Sequence, residues 1–182
     1  MIEIVILGRG GQGAQTAGNQ LARAFFAHGL FVQSFSTYGG ARRGTPVMSS
    51  LRADSRPIRL RCNITQATGL LCFDDSLVDE SFLSLAGEKA ITVVNTARTG
   101  ETLNQQTGLR IIPVDGREIA RRNNMGKVVN SALLGGFVAA LGQPDIDTMC
   151  KVIEETAPAK KTENIAACRE AYGLVAGLAE KV

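Results

Sequence analysis

Apolar residues follow two different spacings along this chain, and the first forty positions show both. Ile4-Val5-Ile6-Leu7 is an unbroken apolar run, the pattern of a strand covered on both faces, and predicts a first strand from about Ile2 to Leu7. From Ala14 to His28 the spacing lengthens. Ala17, Leu21, Ala24 and Phe25 share one face of a helix, and Gly29 stands where that helix would end. Phe31 to Phe35 reads as a second strand. The opening therefore predicts a right-handed βαβ unit in which strand two ends beside strand one.

Beyond it the alternation becomes irregular. Val47 to Arg52 and Ile58 to Cys62 both read as extended, joined by Ala53-Asp54-Ser55-Arg56-Pro57, and Ile58, Leu60 and Cys62 alternate with Arg59 and Arg61. An antiparallel hairpin with one wet face is the prediction. Leu70 to Phe73 reads as a short buried strand, after which Asp75 or Ser76 can cap a helix running to about Ala86. Ile91 to Val94 and Ile111 to Val114 are further strands, the latter at an edge because Pro113 lacks an N–H. From Gly116 onward the pattern is helical near 117–124, 128–141, 145–156 and 163–179, with breaks at Gly126, Gly142-Gln143-Pro144 and Ala157-Pro158. The expected fold is a single α/β domain over 1–182. It has three α/β/α layers, a mixed and largely parallel sheet, a Rossmann-like start and a helical C-terminal part.

Composition changes this picture little. Of 182 residues 45% are hydrophobic and 20% charged, ordinary for a soluble globular chain. The net charge of +3 is too small to imply nucleic acid, and lysines and arginines do not interleave with aromatics as in single-strand binders. No apolar stretch approaches the ~18 residues of a membrane span, and the short N-terminal run reads as a strand rather than a leader. Cys62, Cys72, Cys150 and Cys168 are widely spaced without a C-x-x-C pair. That argues against a disulfide framework, a zinc site or an iron–sulfur cluster held by this chain alone, and for reduced thiols in a cytoplasmic protein.

The candidate chemistry starts at Gly8-Arg9-Gly10-Gly11-Gln12-Gly13, between the first strand and the first helix. A strand–turn–helix of this kind presents backbone N–H groups and the positive end of a helix dipole to one spot, which suits a phosphate or another anion. A dinucleotide fingerprint would also place an acid at the end of strand two, to hold a ribose. Here that stretch is Val32-Gln33-Ser34-Phe35-Ser36, so NAD is disfavoured, whereas NADP or coenzyme A is not. Between Thr37 and Cys62 stand six arginines (Arg42, Arg43, Arg52, Arg56, Arg59, Arg61) against one acid, Asp54. Arginine is the side chain shaped for forked contacts with phosphate or carboxylate. Arg42 and Arg43 lie in the glycine-rich stretch 38–44 and are expected near the first turn. Arg52 to Arg61 read equally as a solvated hairpin face.

Catalytic equipment is sparse. His28, the one histidine, stands at a predicted helix C-terminus, where it favours the dipole. Asp74, Asp75, Asp79 and Glu80 gather at a predicted helix start, where capping accounts for them. Asn130, Lys160, Lys161 and Asn164 are polar points among helices whose roles spacing leaves open.

The residues Gly8-x-Gly10-Gly11-Gln12-Gly13, Thr16-Ala17, Leu21-Ala22, Tyr38-Gly39, Arg43-Gly44 and Pro46-Val47 together closely resemble the gamma subunit of 2-oxoacid:ferredoxin oxidoreductases. Asn130 with Leu134-Gly135, Lys161 and Asn164 are similar to the family's later pattern. Ala41 and Thr45 depart from it, where many members have an acid and a second glycine. The resemblance implies a multi-subunit enzyme that decarboxylates a 2-oxoacid to an acyl-CoA, with thiamine diphosphate and iron–sulfur clusters on partner alpha, beta and ferredoxin-like delta subunits and ferredoxin as acceptor. It implies that this chain is not catalytic alone and contributes to coenzyme A docking, here through Gly8, Gly10, Gly11, Gln12, Gly13, Arg42 and Arg43. Two other readings stand beside it: a purely structural assembly subunit, and an NADP-binding oxidoreductase domain.

Overall fold

The computed structural model describes residues 1–38 and 44–179. Its centre is a six-stranded sheet in the order β2-β3-β1-β4-β5-β6. The strands are β1 (Ile2–Arg9), β2 (Phe31–Tyr38), β3 (Pro46–Asp54), β4 (Ala67–Cys72), β5 (Ala86–Asn95) and β6 (Ile111–Val114). β1, β4, β5 and β6 run parallel, while β3 is antiparallel to both β1 and β2. The helices are α1 (Ala14–Ala27), α2 (Glu80–Leu83), α3 (Gly100–Thr107), α4 (Gly116–Arg122), α5 (Asn130–Leu141), α6 (Ile146–Thr156) and α7 (Lys161–Ala179). The mixed, mostly parallel α/β sheet of the sequence reading is observed.

β1 is buried on both faces because its apolar run has a core on either side. Ile4 and Ile6 pack with Leu21, Ala24 and Phe25 of α1 and with α5. Val5 and Leu7 pack with Phe82 of α2 and Leu103 of α3. α5 is buried continuously from Ser131 to Val138, as a helix apolar all round must be, and lies between the sheet and α6 and α7. Both edge strands are polar or short. β6 has four residues, and Pro113 sits in it as the edge assignment requires.

Three expectations are corrected. Strand two does not lie beside strand one, because β3 enters between them with Ala53 opposite both Ile2 and Val32. The hairpin partner of β3 is β2, and residues 58–62 form no strand. That segment instead crosses the sheet face, with Gln33 Nε2 donating to the Leu60 carbonyl at 2.8 Å. Arg52 is accordingly no part of a solvated face. It is 1% exposed, with Nε 2.7 Å from Glu3 Oε1 and the guanidinium 5.5 Å above the Phe35 ring. Finally, the helix expected up to Ala86 is a 3₁₀ turn, Asp75–Leu77, followed by the single turn α2. Two acids split it by capping separately: Asp74 accepts from Ser76 N at 3.1 Å and Asp79 from Phe82 N at 2.9 Å. α3 carried no apolar period strong enough to be read, since only its Leu103 is buried.

Candidate functional site at the switch point

β1 and β4 are parallel neighbours whose chains leave toward opposite faces: α1 packs on one, α2 and α3 on the other. Such a divergence opens a crevice outside the strands' carboxyl ends, where α/β sheets hold ligands. Here it is a cavity of about 550 Å³ walled by Gly11 and Gln12 after β1, Phe73 after β4, Asn95 ending β5, Arg117 of α4 and Lys127 before α5. Asn95 and Arg117 also line an adjoining hollow of about 420 Å³ over Asp74, Thr96, Arg98 and Arg121.

The glycine turn forms the first wall. Gly11 at φ 96° and Gly13 at φ 90° occupy the left-handed region that excludes most side chains. A Cβ on Gly13 would stand 2.7 Å from Asn130 Oδ1. Asn130 Nδ2 donates to the Gly13 carbonyl at 3.0 Å, so α5 clamps the entry of α1, a role that spacing had left open. Gly13 is the N-cap of α1 and supplies no capping side chain, and the first turn carries no acid. The positive end of the dipole is left without local compensation.

Several of the turn's amides are occupied from within. Arg9 N donates to Gln12 Oε1 at 2.7 Å, Gln12 N to the Arg9 carbonyl at 2.9 Å, and Gly10 N to the Thr45 carbonyl at 2.8 Å. Gly8 lies in the ladder opposite Val47. Gly11 N and Gly13 N have no partner among the described residues. The cradle of free amides read from the sequence is thus narrower than expected. Arg42 and Arg43 lie outside the described residues.

Arg9, overlooked in the sequence reading, organises the rim. Its Nε is 3.0 Å from Asp74 Oδ2, its NH2 donates to Ser76 Oγ at 2.8 Å, and Gln12 Nε2 donates to the same carboxylate oxygen at 3.0 Å. Burial pushes the Asp74 carboxyl up, but hydrogen bonds from Ser76, Gln12 and Arg9 outweigh it and hold it below the ordinary carboxylate value. The signal for this network was an acid directly after a buried strand, visible in sequence only as one of a cluster of caps. Asp75 pairs with Arg98 at 3.2 Å, and Glu118 with Arg121 at 2.7 Å, whose hydrogen bond lowers the Glu118 carboxyl. Among the described residues no group of three or more His, Cys, Asp or Glu is placed to hold a metal ion, and no helix is long and apolar enough to cross a membrane.

Of the remaining polar points, His28, Asn164 and Lys160 make contacts within the fold. His28 caps α1 and its Nδ1 is 3.4 Å from Asp145 Oδ2. Asn164 is buried, accepting from Ser131 Oγ at 2.7 Å and donating to the Lys160 carbonyl at 2.8 Å. Lys160 takes a left-handed conformation at φ 52° and its ammonium donates to the Asn124 carbonyl. Lys161 is exposed at the start of α7.

The chain as a whole is similar to known proteins. The pyruvate synthase subunit PorC of Methanothermobacter marburgensis is 39% identical over 175 residues, covering 94% of this chain and 96% of that protein. The common gamma subunit of the pyruvate/ketoisovalerate oxidoreductases of Pyrococcus furiosus is 36% identical over 178 residues, covering 94% and 96%. Among solved structures, pyruvate oxidoreductase subunit PORC of Thermotoga maritima superposes with TM-score 0.83 at 28% identity, covering 94% of this chain and 95% of that one. The 2-oxoglutarate:ferredoxin oxidoreductase of Magnetococcus marinus, solved with 2-oxoglutarate, coenzyme A and succinyl-CoA bound, shares the fold at TM-score 0.75 and 22% identity. It covers 100% of this chain and 31% of that longer one. The sequence profile described as pyruvate ferredoxin/flavodoxin oxidoreductase matches residues 3–174, and the chain belongs to that family, among its gamma-type subunits.

Proposed function

We propose that this chain is the gamma subunit of a multi-subunit 2-oxoacid:ferredoxin oxidoreductase, inactive alone, and that it docks coenzyme A for the complex while packing against alpha, beta and ferredoxin-like delta partners. Thiamine diphosphate and the iron–sulfur clusters belong to those partners in this reading, with ferredoxin as acceptor in the cytoplasm. The observation that carries it is the uncapped start of α1, with Gly11 N and Gly13 N unpartnered among the described residues, beside a cavity that Gly11 lines in a family whose members oxidise 2-oxoacids. An anion is the natural occupant of such a site. A fold neighbour solved with coenzyme A bound is consistent with that ligand class. Gly8, Gly10 and Gln12 shape the turn in this reading, Gly11 and Gly13 offer amides, and Arg42 and Arg43 add charge. The test is a coenzyme A titration of the assembled enzyme, wild type against Arg43→Ala. A raised KM for coenzyme A is the expected result. An unchanged one removes the arginine from the ligand site.

A second reading, a purely structural assembly subunit, is favoured by one observation: the amides of Arg9 and Gln12 are used within the turn itself and that of Gly10 by the Thr45 carbonyl. On that reading Arg43→Ala costs partner subunits in gel filtration while coenzyme A affinity in the remaining complex is intact.

A further inference from the structure

We infer that the switch-point cavity holds a diphosphate, and that Arg117 and Lys127, rather than the arginines of the glycine-rich stretch 38–44, are its principal cationic contacts. This rests on the coenzyme A reading, whose ligand carries such a group, and assigns to it residues outside the glycine and arginine motifs.

The inference follows from how the charges of the cleft are matched. Each acid on its rim is already engaged. Asp74 holds Arg9, Gln12 and Ser76; Asp75 holds Arg98; Glu118 holds Arg121; and Asp115 caps α4 by accepting from Glu118 N at 2.9 Å. Arg117 and Lys127 line the cavity, and neither has an ion pair or hydrogen bond among the described residues. Two cations without acids among the described residues therefore line a space that Gly11 also lines, its N–H without a partner among the described residues.

The geometry also selects the class of anion. Asn95 braces the floor: its Nδ2 donates to the Phe73 carbonyl at 3.0 Å and its Oδ1 accepts from Gly116 N at 3.0 Å. The donors that remain come from three separate elements: the turn before α1, the first turn of α4 and the connection before α5. A volume of about 550 Å³ lies within the range of cofactor sites, roughly 300–1,000 Å³, and donors spread round its walls suit a diphosphate better than a single phosphate. A forked guanidinium and a mobile ammonium are the pair of cations that diphosphates commonly meet.

The experiment measures binding of inorganic pyrophosphate to the assembled complex by isothermal titration calorimetry. It compares wild type, Arg117→Ala, Lys127→Ala and the double variant, with Lys151→Ala removing an equal charge from the exposed side of α6. All these side chains are exposed, so the fold is expected to survive, and circular dichroism checks it. Each single variant at the cavity is expected to weaken pyrophosphate about tenfold, the double more, and Lys151→Ala not at all. KM for coenzyme A is expected to rise in parallel. Absent pyrophosphate binding, or equal binding in all five proteins, overturns the cavity as an anion site whatever Arg43→Ala does. Pyrophosphate binding that needs Arg117 and Lys127 while KM for coenzyme A ignores them keeps the anion site and overturns the coenzyme A reading.

Discussion

Gly135→Ala is expected to destabilise the protein although alanine is the better helix former. Gly135 lies mid-way along α5, against the backbone of α7. A Cβ there would overlap the Cys168 carbonyl oxygen and stand 2.7 Å from its carbonyl carbon and 2.9 Å from its Cα. These atoms are helix backbone and cannot turn aside as a flexible side chain would. Relief requires α5 and α7 to separate, and α5 is walled on its other sides by Val114 and by Phe137 against Gly69. Overpacking of this kind costs about 1–3 kcal/mol and sometimes more, while the gain from replacing a mid-helix glycine is roughly 1 kcal/mol. Since the obstacle is backbone, the upper part of the range applies, leaving a net loss of about 2 kcal/mol. For a chain of this size that lowers Tm by about 4–8 °C. Gly173→Ala is the matched control, because no heavy atom lies within 4 Å of a Cβ built there on α7. It keeps the propensity gain alone, and its Tm should rise by about 2–4 °C. Thermal unfolding followed by far-UV circular dichroism separates the two. A Gly135→Ala protein melting at or above wild type would refute the close α5–α7 approach as the reason for glycine.

Two further outcomes are expected. The Asp74 carboxyl is held below its ordinary value in the folded protein, so its contribution is complete above the unfolded pKa, near 3.9, and is lost as pH falls through the lower folded one. Urea unfolding of Asp74→Asn should therefore show lower stability near neutrality and a shallower acid loss than wild type, and an equally steep loss would contradict the network. Burial pushes the Cys72 thiol up to about 12, and a hydrogen bond to Cys150 together with burial raises Cys168, whereas Cys62 is exposed. Iodoacetamide on the native protein should alkylate Cys62 first, as peptide mass spectrometry would read, and comparable labelling of Cys72 would count against the buried core on that face.

The linear pattern determined what is local or carried by a single segment. The unbroken run Ile4–Leu7 specified a strand buried on both faces, the spacing of Ala17, Leu21, Ala24 and Phe25 specified the buried side of α1, and Pro113 specified an edge. Gly11 and Gly13, adopting φ angles that other residues resist, marked the turn between them. The motif with its later asparagines was specific enough to name the family, since such signals are read residue by residue. Tertiary structure alone decided pairing and partnership. Nothing in the spacing of Val47–Arg52 told that β3 would enter between β1 and β2, because ladder hydrogen bonds form between backbones and leave no residue code. That insertion buried Arg52 against Glu3 and drew residues 58–62 across the sheet instead of into it. The cleft was likewise illegible: Gln12, Phe73, Asn95, Arg117 and Lys127 are far apart in the chain and meet only because α1 leaves on one face and α2 and α3 on the other. Which amides stay free, and which cations lack an acid, depends on neighbours distant in sequence, and only the folded chain supplies them.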